Sequence, residues 1–185
     1  MTNTSRARIT TICAWLIIAL GAAAALLPLD DHLRGPVLIG WLLIAAGTLE
    51  TIAGTQRRAA RIPAVFAGLA TAGIGALFVA GGSRGLLAAA TLVIVWLLLR
   101  SIVLVLVTVA AGSSSVRKWT LIAAATDFLL GALLLLGVSI SSLVYNLFGP
   151  TEQLIASFAW VFALSFIATG TMLLEVANCE REGAP

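Results

Sequence analysis

The stretch Leu92-Val-Ile-Val-Trp-Leu-Leu-Leu-Arg-Ser-Ile-Val-Leu-Val-Leu106 is apolar apart from Arg100 and Ser101, and within Leu86 to Gly112 Arg100 is the only charged residue. A bilayer core about 30 Å thick is crossed by roughly 20 such residues, so the stretch reads as a membrane-spanning helix with a cation near mid-depth. An arginine at that depth costs at least about 2.5 kcal/mol of insertion unless something answers its charge. The rest of the chain must supply a partner. Only Glu50, Asp127 and Glu175 lie in other strongly apolar stretches.

Composition agrees with this reading. Hydrophobic residues make up 61% of the 185 and charged residues 10%, with a mean hydropathy of +1.09, far from the roughly 25% charged of soluble domains. The expected class is an all-α, polytopic membrane bundle, with six spans in a single domain over residues 1–185. The net charge of +3 does not point to nucleic acid, because the basic residues sit at the ends of apolar runs rather than in a patch. Cys13 and Cys179 fall near expected cytoplasmic helix ends, where thiols stay reduced, and read as small filler.

In order, the spans are expected over about 9–29, 37–55, 63–79, 86–111, 119–137 and 154–177, built as three helical hairpins. The first has the basic flank and alanine cluster of a signal peptide. Its uncharged run from Ile9 to Leu29 exceeds the usual h-region of about 7 to 15 residues, so it reads as a transmembrane helix. Arg57, Arg58 and Arg61 close the second span, and Trp119 opens the fifth at the interface. Val138 to Gln153 reads as a segment in the outer interface, and Asn178 to Pro185 as a short charged tail. Arg6, Arg8, Arg57, Arg58, Arg61, Arg117, Lys118 and Arg181 fall on one side, against Arg34 and Arg84 on the other, which makes both termini cytoplasmic. The three hairpins begin near residues 9, 63 and 119 and form a weak internal repeat. Within it, Gly47-Thr-Leu-Glu50 and Leu97-Leu-Leu-Arg100 occupy similar places.

Small residues indicate which faces meet protein. Gly40, Gly47 and Gly54 recur every seven residues, with Glu50 on their stripe. Ala123 and Gly131 flank Asp127 at four-residue spacing, and Ala64, Gly68, Ala72 and Gly75 form an uncharged stripe. Such faces let membrane helices approach closely, and they offer a route to a homo-oligomer. At 1.5 Å per residue from the cytoplasmic ends, Asp127 lies about 13 Å deep, Arg100 about 18 Å, Glu50 about 9 Å and Glu175 about 5 Å. The candidate charge network is therefore Arg100 with Asp127 first and Glu50 second, while Glu175 can reach the interface. Such a group can be a packing and assembly device, a proton or ion relay, or a lipid contact. Trp96, four residues before Arg100, either stacks on its guanidinium or faces lipid.

Catalytic chemistry is not expected. The chain has no glycine-rich phosphate loop after a strand and no Cys-pair cluster, and its single histidine, His32, lies in a polar turn beside Asp30 and Asp31. No metal, cofactor or enzymatic activity is expected.

The segments Leu20-Gly-Ala-Ala-Ala-Ala-Leu-Leu-Pro28 and Leu38-Ile-Gly-Trp-Leu-Leu-Ile-Ala-Ala-Gly-Thr-Leu-Glu50, with the three-hairpin plan, give a chain that resembles the HdeD family of acid-resistance membrane proteins. The likeness covers most of the length, through Gly, Pro and apolar spacing. It departs where a Pro would follow the third and fifth spans, at Gly81 to Gly85 and at Val138 to Gln153. The resemblance implies a six-span bacterial inner-membrane protein with a stress setting, and it carries no catalytic residue. Two functions follow as expectations. One is a non-enzymatic membrane protein tied to acid or envelope stress. The other is a small proton-coupled carrier or channel using Arg100, Asp127 and Glu50.

Overall fold

The computed structural model describes residues 2–26, 35–80, 86–111, 114–136 and 153–182. Its elements are six α-helices, α1 (Asn3–Leu26), α2 (Gly35–Gln56), α3 (Arg61–Ala80), α4 (Leu86–Ala110), α5 (Ser114–Leu135) and α6 (Gln153–Glu182). All six are long and apolar enough to cross a membrane. The protein is therefore an all-α, multi-pass integral membrane protein, since only helices or closed barrels satisfy their backbone groups in hydrocarbon. The segment 137–152 and the turn holding His32 lie outside the described residues, as do Arg34 and Arg84.

Several helices outrun the expected spans at the basic end. Helix α1 starts at Asn3 rather than at residue 9, α5 at Ser114 rather than at 119, and α6 continues to Glu182 rather than stopping at 177. Hydropathy marks where a helix leaves hydrocarbon, whereas the hydrogen-bonded backbone continues through the interface until a cap or turn stops it. Arg61 opens α3 rather than closing α2, with Pro63 tolerated in the first turn, where a missing N–H has no intrahelical partner to lose.

The helices form a ring in sequence order, each packed on the next, and α1 closes the ring on α6. The neighbours within the expected hairpins do touch. The most extensive packing, however, lies between α2 and α3, between α1 and α6, and between α4 and α5. Backbone proximity explains the first seam. A Cβ added at Gly40 would meet the Gly75 carbonyl oxygen at 2.9 Å, one at Gly47 the Gly68 oxygen at 2.7 Å, and one at Gly54 the Val65 nitrogen at 2.9 Å. Rising positions on α2 meet falling positions on α3, so the pair is antiparallel. The tight turn between them holds Ala60 at φ 56°, in the left-handed region.

The α1–α6 seam works the same way: a Cβ added at Gly21 would meet the Ala163 oxygen at 3.1 Å, and one at Gly170 the Ala14 oxygen at 3.0 Å. Within the chain these stripes join α2 to α3 and α1 to α6. Because α1 and α6 are antiparallel, the start of α1 and the end of α6 lie at one end of the bundle. Contacts there agree: the Arg58 backbone N–H donates to Glu180 Oε1 at 2.9 Å, the Arg58 guanidinium to Asn3, and Ser115 to Glu175. We refer to this as the basic end.

The outer face is lipid-like, with Trp15, Trp41, Phe128, Leu129 and Val109 all exposed. Exposed Thr48 and half-buried Thr126 and Thr171 turn their hydroxyls back onto carbonyls of their own helix, at 2.7, 2.9 and 3.0 Å, and so present little polarity outward.

Candidate functional site

Arg100 lies among buried apolar side chains of the described core. Residue 100 falls on the inward face of α4 with Val93, Trp96, Leu97 and Leu104, all buried, so the cation is turned away from lipid. Its relative exposure is 2%, against 5% for Glu50 and 0% for Asp127. The structure brings all three candidate residues together. One terminal nitrogen, Nη1, donates to Asp127 Oδ2 and to Ser165 Oγ at 3.0 Å, and the other, Nη2, donates to Glu50 Oε1 at 3.0 Å and to Thr169 Oγ1 at 2.6 Å.

The two hydroxyls complete the arrangement. Ser165 accepts from Arg100 and donates to Asp127 Oδ1 at 2.6 Å, while Thr169 accepts from Arg100 and donates to the Ser165 carbonyl at 2.7 Å. Both carboxylates and both hydroxyls thus answer one guanidinium, drawn from α2, α5 and α6. Charge-assisted bonds of this kind are about twice as strong as neutral ones. The sequence ranking made Glu50 the alternative to Asp127. Both acids bind, because a guanidinium offers its two terminal nitrogens in different directions, and depth along separate helices cannot express that fork.

Glu50 lies at the edge of the glycine stripe on α2, where its carboxylate holds Arg100 and borders a cavity shared with Ala64 and Ala67 of α3. The glycines seal against α3, and Glu50 points past that seam into the bundle. Trp96 is buried at 1%, not lipid-facing, and the Arg100 Cζ lies 5.7 Å from its ring centroid. Its Nε1–H donates to Thr71 Oγ1 at 3.2 Å, which ties α3 to the group. Ser165 and Thr169 were not expected. Their signal is weak but present: two hydroxyl residues four apart on α6, hence on one face, at the depth of Arg100.

The surroundings differ above and below the network. Away from the basic end, Trp96, Phe162 and Phe166 pack as tilted rings with centroids 5.3 and 6.2 Å apart, all fully buried. Toward the basic end, a cavity of about 10 Å³ is lined by Glu50, Arg57, Ala64, Ala67, Leu104, Val107, Met172 and Leu173. Arg57, just past α2, is 5% exposed, its Nη2 lies 4.0 Å from the Met172 sulfur, and its Nε has no hydrogen-bond partner. Burial pushes the Arg57 guanidinium down, to about 10, against the pull of the Glu50 and Glu180 carboxylates, so it stays charged at neutral pH.

Cys13 is buried in the apolar core between the helices, and Glu175 is held by Ser115 at the basic end, apart from the network. Among the described residues no cluster of three His, Cys, Asp or Glu side chains is placed to hold a metal ion. Comparison with models of known families, with curated proteins and with solved structures finds no match to this chain.

Proposed function

We propose that the protein is a non-enzymatic protein of a bacterial inner membrane, with both termini cytoplasmic, that serves resistance to acid or envelope stress. In this reading the Arg100 network is an internal tie between helices rather than a transport site. One observation carries the second half: both terminal nitrogens of Arg100 are taken up by Asp127, Glu50, Ser165 and Thr169, which leaves no terminal donor for a solute and only the buried Nε unpaired. The buried Trp96, Phe162 and Phe166 rings beside it support the same view, since a carrier needs a polar path to both sides. The stress setting rests on the resemblance to the HdeD family. The orientation rests on the positive-inside rule applied to the end where Arg58, Asn3 and Glu180 meet.

The alternative, a small proton-coupled carrier, draws on the cavity beside Glu50. A proton and solute flux assay in proteoliposomes separates the two. The tie reading expects no flux above protein-free vesicles for the wild type or for Arg100→Leu, together with poorer survival of a deletion strain at low external pH. Proton flux that Arg100→Leu abolishes would establish the carrier. Normal survival of the deletion strain under acid and envelope stress would remove the stress role.

A further inference from the structure

The cavity between Arg57 and Glu50 is small, buried and polar on two sides. Its volume of about 10 Å³ is at the lower limit for one water molecule, which needs roughly 10–15 Å³ and two to four polar partners. A donor stands ready in the Arg57 Nε, buried and without a partner. An acceptor stands ready in the Glu50 carboxylate, whose Oε1 is already held by Arg100. The remaining walls are carbon and the Met172 thioether. A buried guanidinium N–H left unpaired keeps the desolvation penalty of a charged donor with nothing to offset it, so a bridging molecule that pairs it is strongly favoured.

We propose that a single water sits between Arg57 and Glu50, joining the Arg100 network to the basic end while the Trp96, Phe162 and Phe166 rings keep it dry on the other side. The charged groups around that site are Arg100 on α4, Asp127 beyond it on α5, Arg57 past α2 and Glu180 on α6 beside Arg57. Helix α3 contributes only Ala64 and Ala67. Formal charges of Arg57, Arg100, Glu50 and Asp127 cancel, and Glu180 is balanced by Arg58, whose Nε lies 3.8 Å from its Oε2, so the site favours a neutral ligand of water size over an ion. The inference holds whether the protein ties helices or carries protons.

Met172 supplies the reporter, because it lines the cavity yet is 1% exposed. Hydroxyl radicals made by a short X-ray pulse in isotope-labelled water oxidise side chains that touch bound water, even when bulk solvent cannot reach them. The full-length protein in nanodiscs is pulsed, and each residue's rate is normalised to that in the unfolded chain. Met172 should be labelled several-fold faster than Trp96 and Phe162. Ala67→Val, which fills the cavity, should bring Met172 down to their level. Arg57→Met, which removes the donor, should lower Met172 labelling if the valine variant does not fold. Equal protection of Met172 and Phe162 in the wild type would overturn the water site, as would Met172 labelling unchanged in either folded variant. Trp96 labelled as fast as Met172 would overturn the one-sided seal.

Discussion

Along α2, one side meets α3 through Gly40, Gly47 and Gly54, and the neighbouring side sends Glu50 across the bundle to Arg100. The first contact is made by removing side chains until two backbones touch. Lipid is as apolar as any side chain, so close packing must replace the hydrophobic drive. The second is made by placing a charge where it cannot be solvated and surrounding it with groups that can answer it. A glycine seam is short-range and indifferent to partner chemistry, failing only when atoms collide. The charge network is specific: it fixes the rotation of α2, α4, α5 and α6 together, because each must turn one residue inward at the same depth. That specificity has a cost, since every member left without its partners is a liability inside the membrane.

The largest expected effect comes from breaking the network unevenly. Arg100→Leu leaves two buried carboxylates without their cation and should cost about 3–5 kcal/mol, read as a lower melting temperature in detergent. The double variants then separate the two acids. Removing Arg100 with Asp127 leaves Glu50, which still feels the Arg57 guanidinium. Removing Arg100 with Glu50 leaves Asp127, 0% exposed, with Ser165 as its remaining neighbour in the network. Arg100→Leu with Asp127→Leu should therefore recover more of the lost stability than Arg100→Leu with Glu50→Leu. The reverse order, or two doubles no better than the sum of their singles, would show that Arg57 does not share in balancing the group.

The seam and the network were not equally legible in the sequence. The glycine spacing of α2 and the small-residue stripe of α3 were readable as packing faces, because a seven-residue recurrence is nearly two helical turns and places its members on one side. Which helix they faced was not readable, since lipid-spanning helices have no polar side to orient them and any small face fits another. Hence the hairpin plan pairs α1 with α2, α3 with α4 and α5 with α6, while the closest seams fall between α2 and α3 and between α1 and α6. For the network, an arginine at mid-depth demands acids, and only three stood in apolar stretches, so Asp127 and Glu50 could be named. Ser165 and Thr169 could not be, because hydroxyl residues are common in membrane helices and usually bond their own backbone, as Thr48 and Thr126 do. Helix ends at the basic side were missed because charged residues can continue a helix that hydropathy has already closed.

A smaller effect tests the seam itself. Gly47→Ala adds one methyl group where α3 backbone atoms stand, with the Gly68 oxygen 2.7 Å away and the Ala72 nitrogen nearer still. Backbone cannot move aside as a side chain does, so α2 and α3 must separate, at a cost of about 1–3 kcal/mol. The Arg100 network gives a second reading of the same event. If α2 shifts, Glu50 moves with it, and Gly47→Ala combined with Glu50→Gln should fall short of the sum of the two single losses. Strict additivity would mean that seam and network are independent, and that α2 is held at two points which do not communicate.

The smallest effect should have the opposite sign. Gly73, on α3, lies close to Ala72 and Gly75 in sequence but faces away from α2, and an added Cβ there would meet nothing within 4 Å. With no collision, only the intrinsic preference of the helix is left, and alanine is favoured over glycine in a helix interior by about 0.5–1 kcal/mol. Gly73→Ala should thus raise the detergent melting temperature slightly, while the identical change at Gly47 lowers it. The two substitutions add the same atoms to neighbouring helices, one inside the seam and one facing away from it, so their difference isolates close approach from helix propensity. Were Gly73→Ala to destabilise the protein as much as Gly47→Ala, the open face of α3 would have to carry a neighbour of its own, and cross-linking through Gly73→Cys would then identify whether a second copy of the chain sits there.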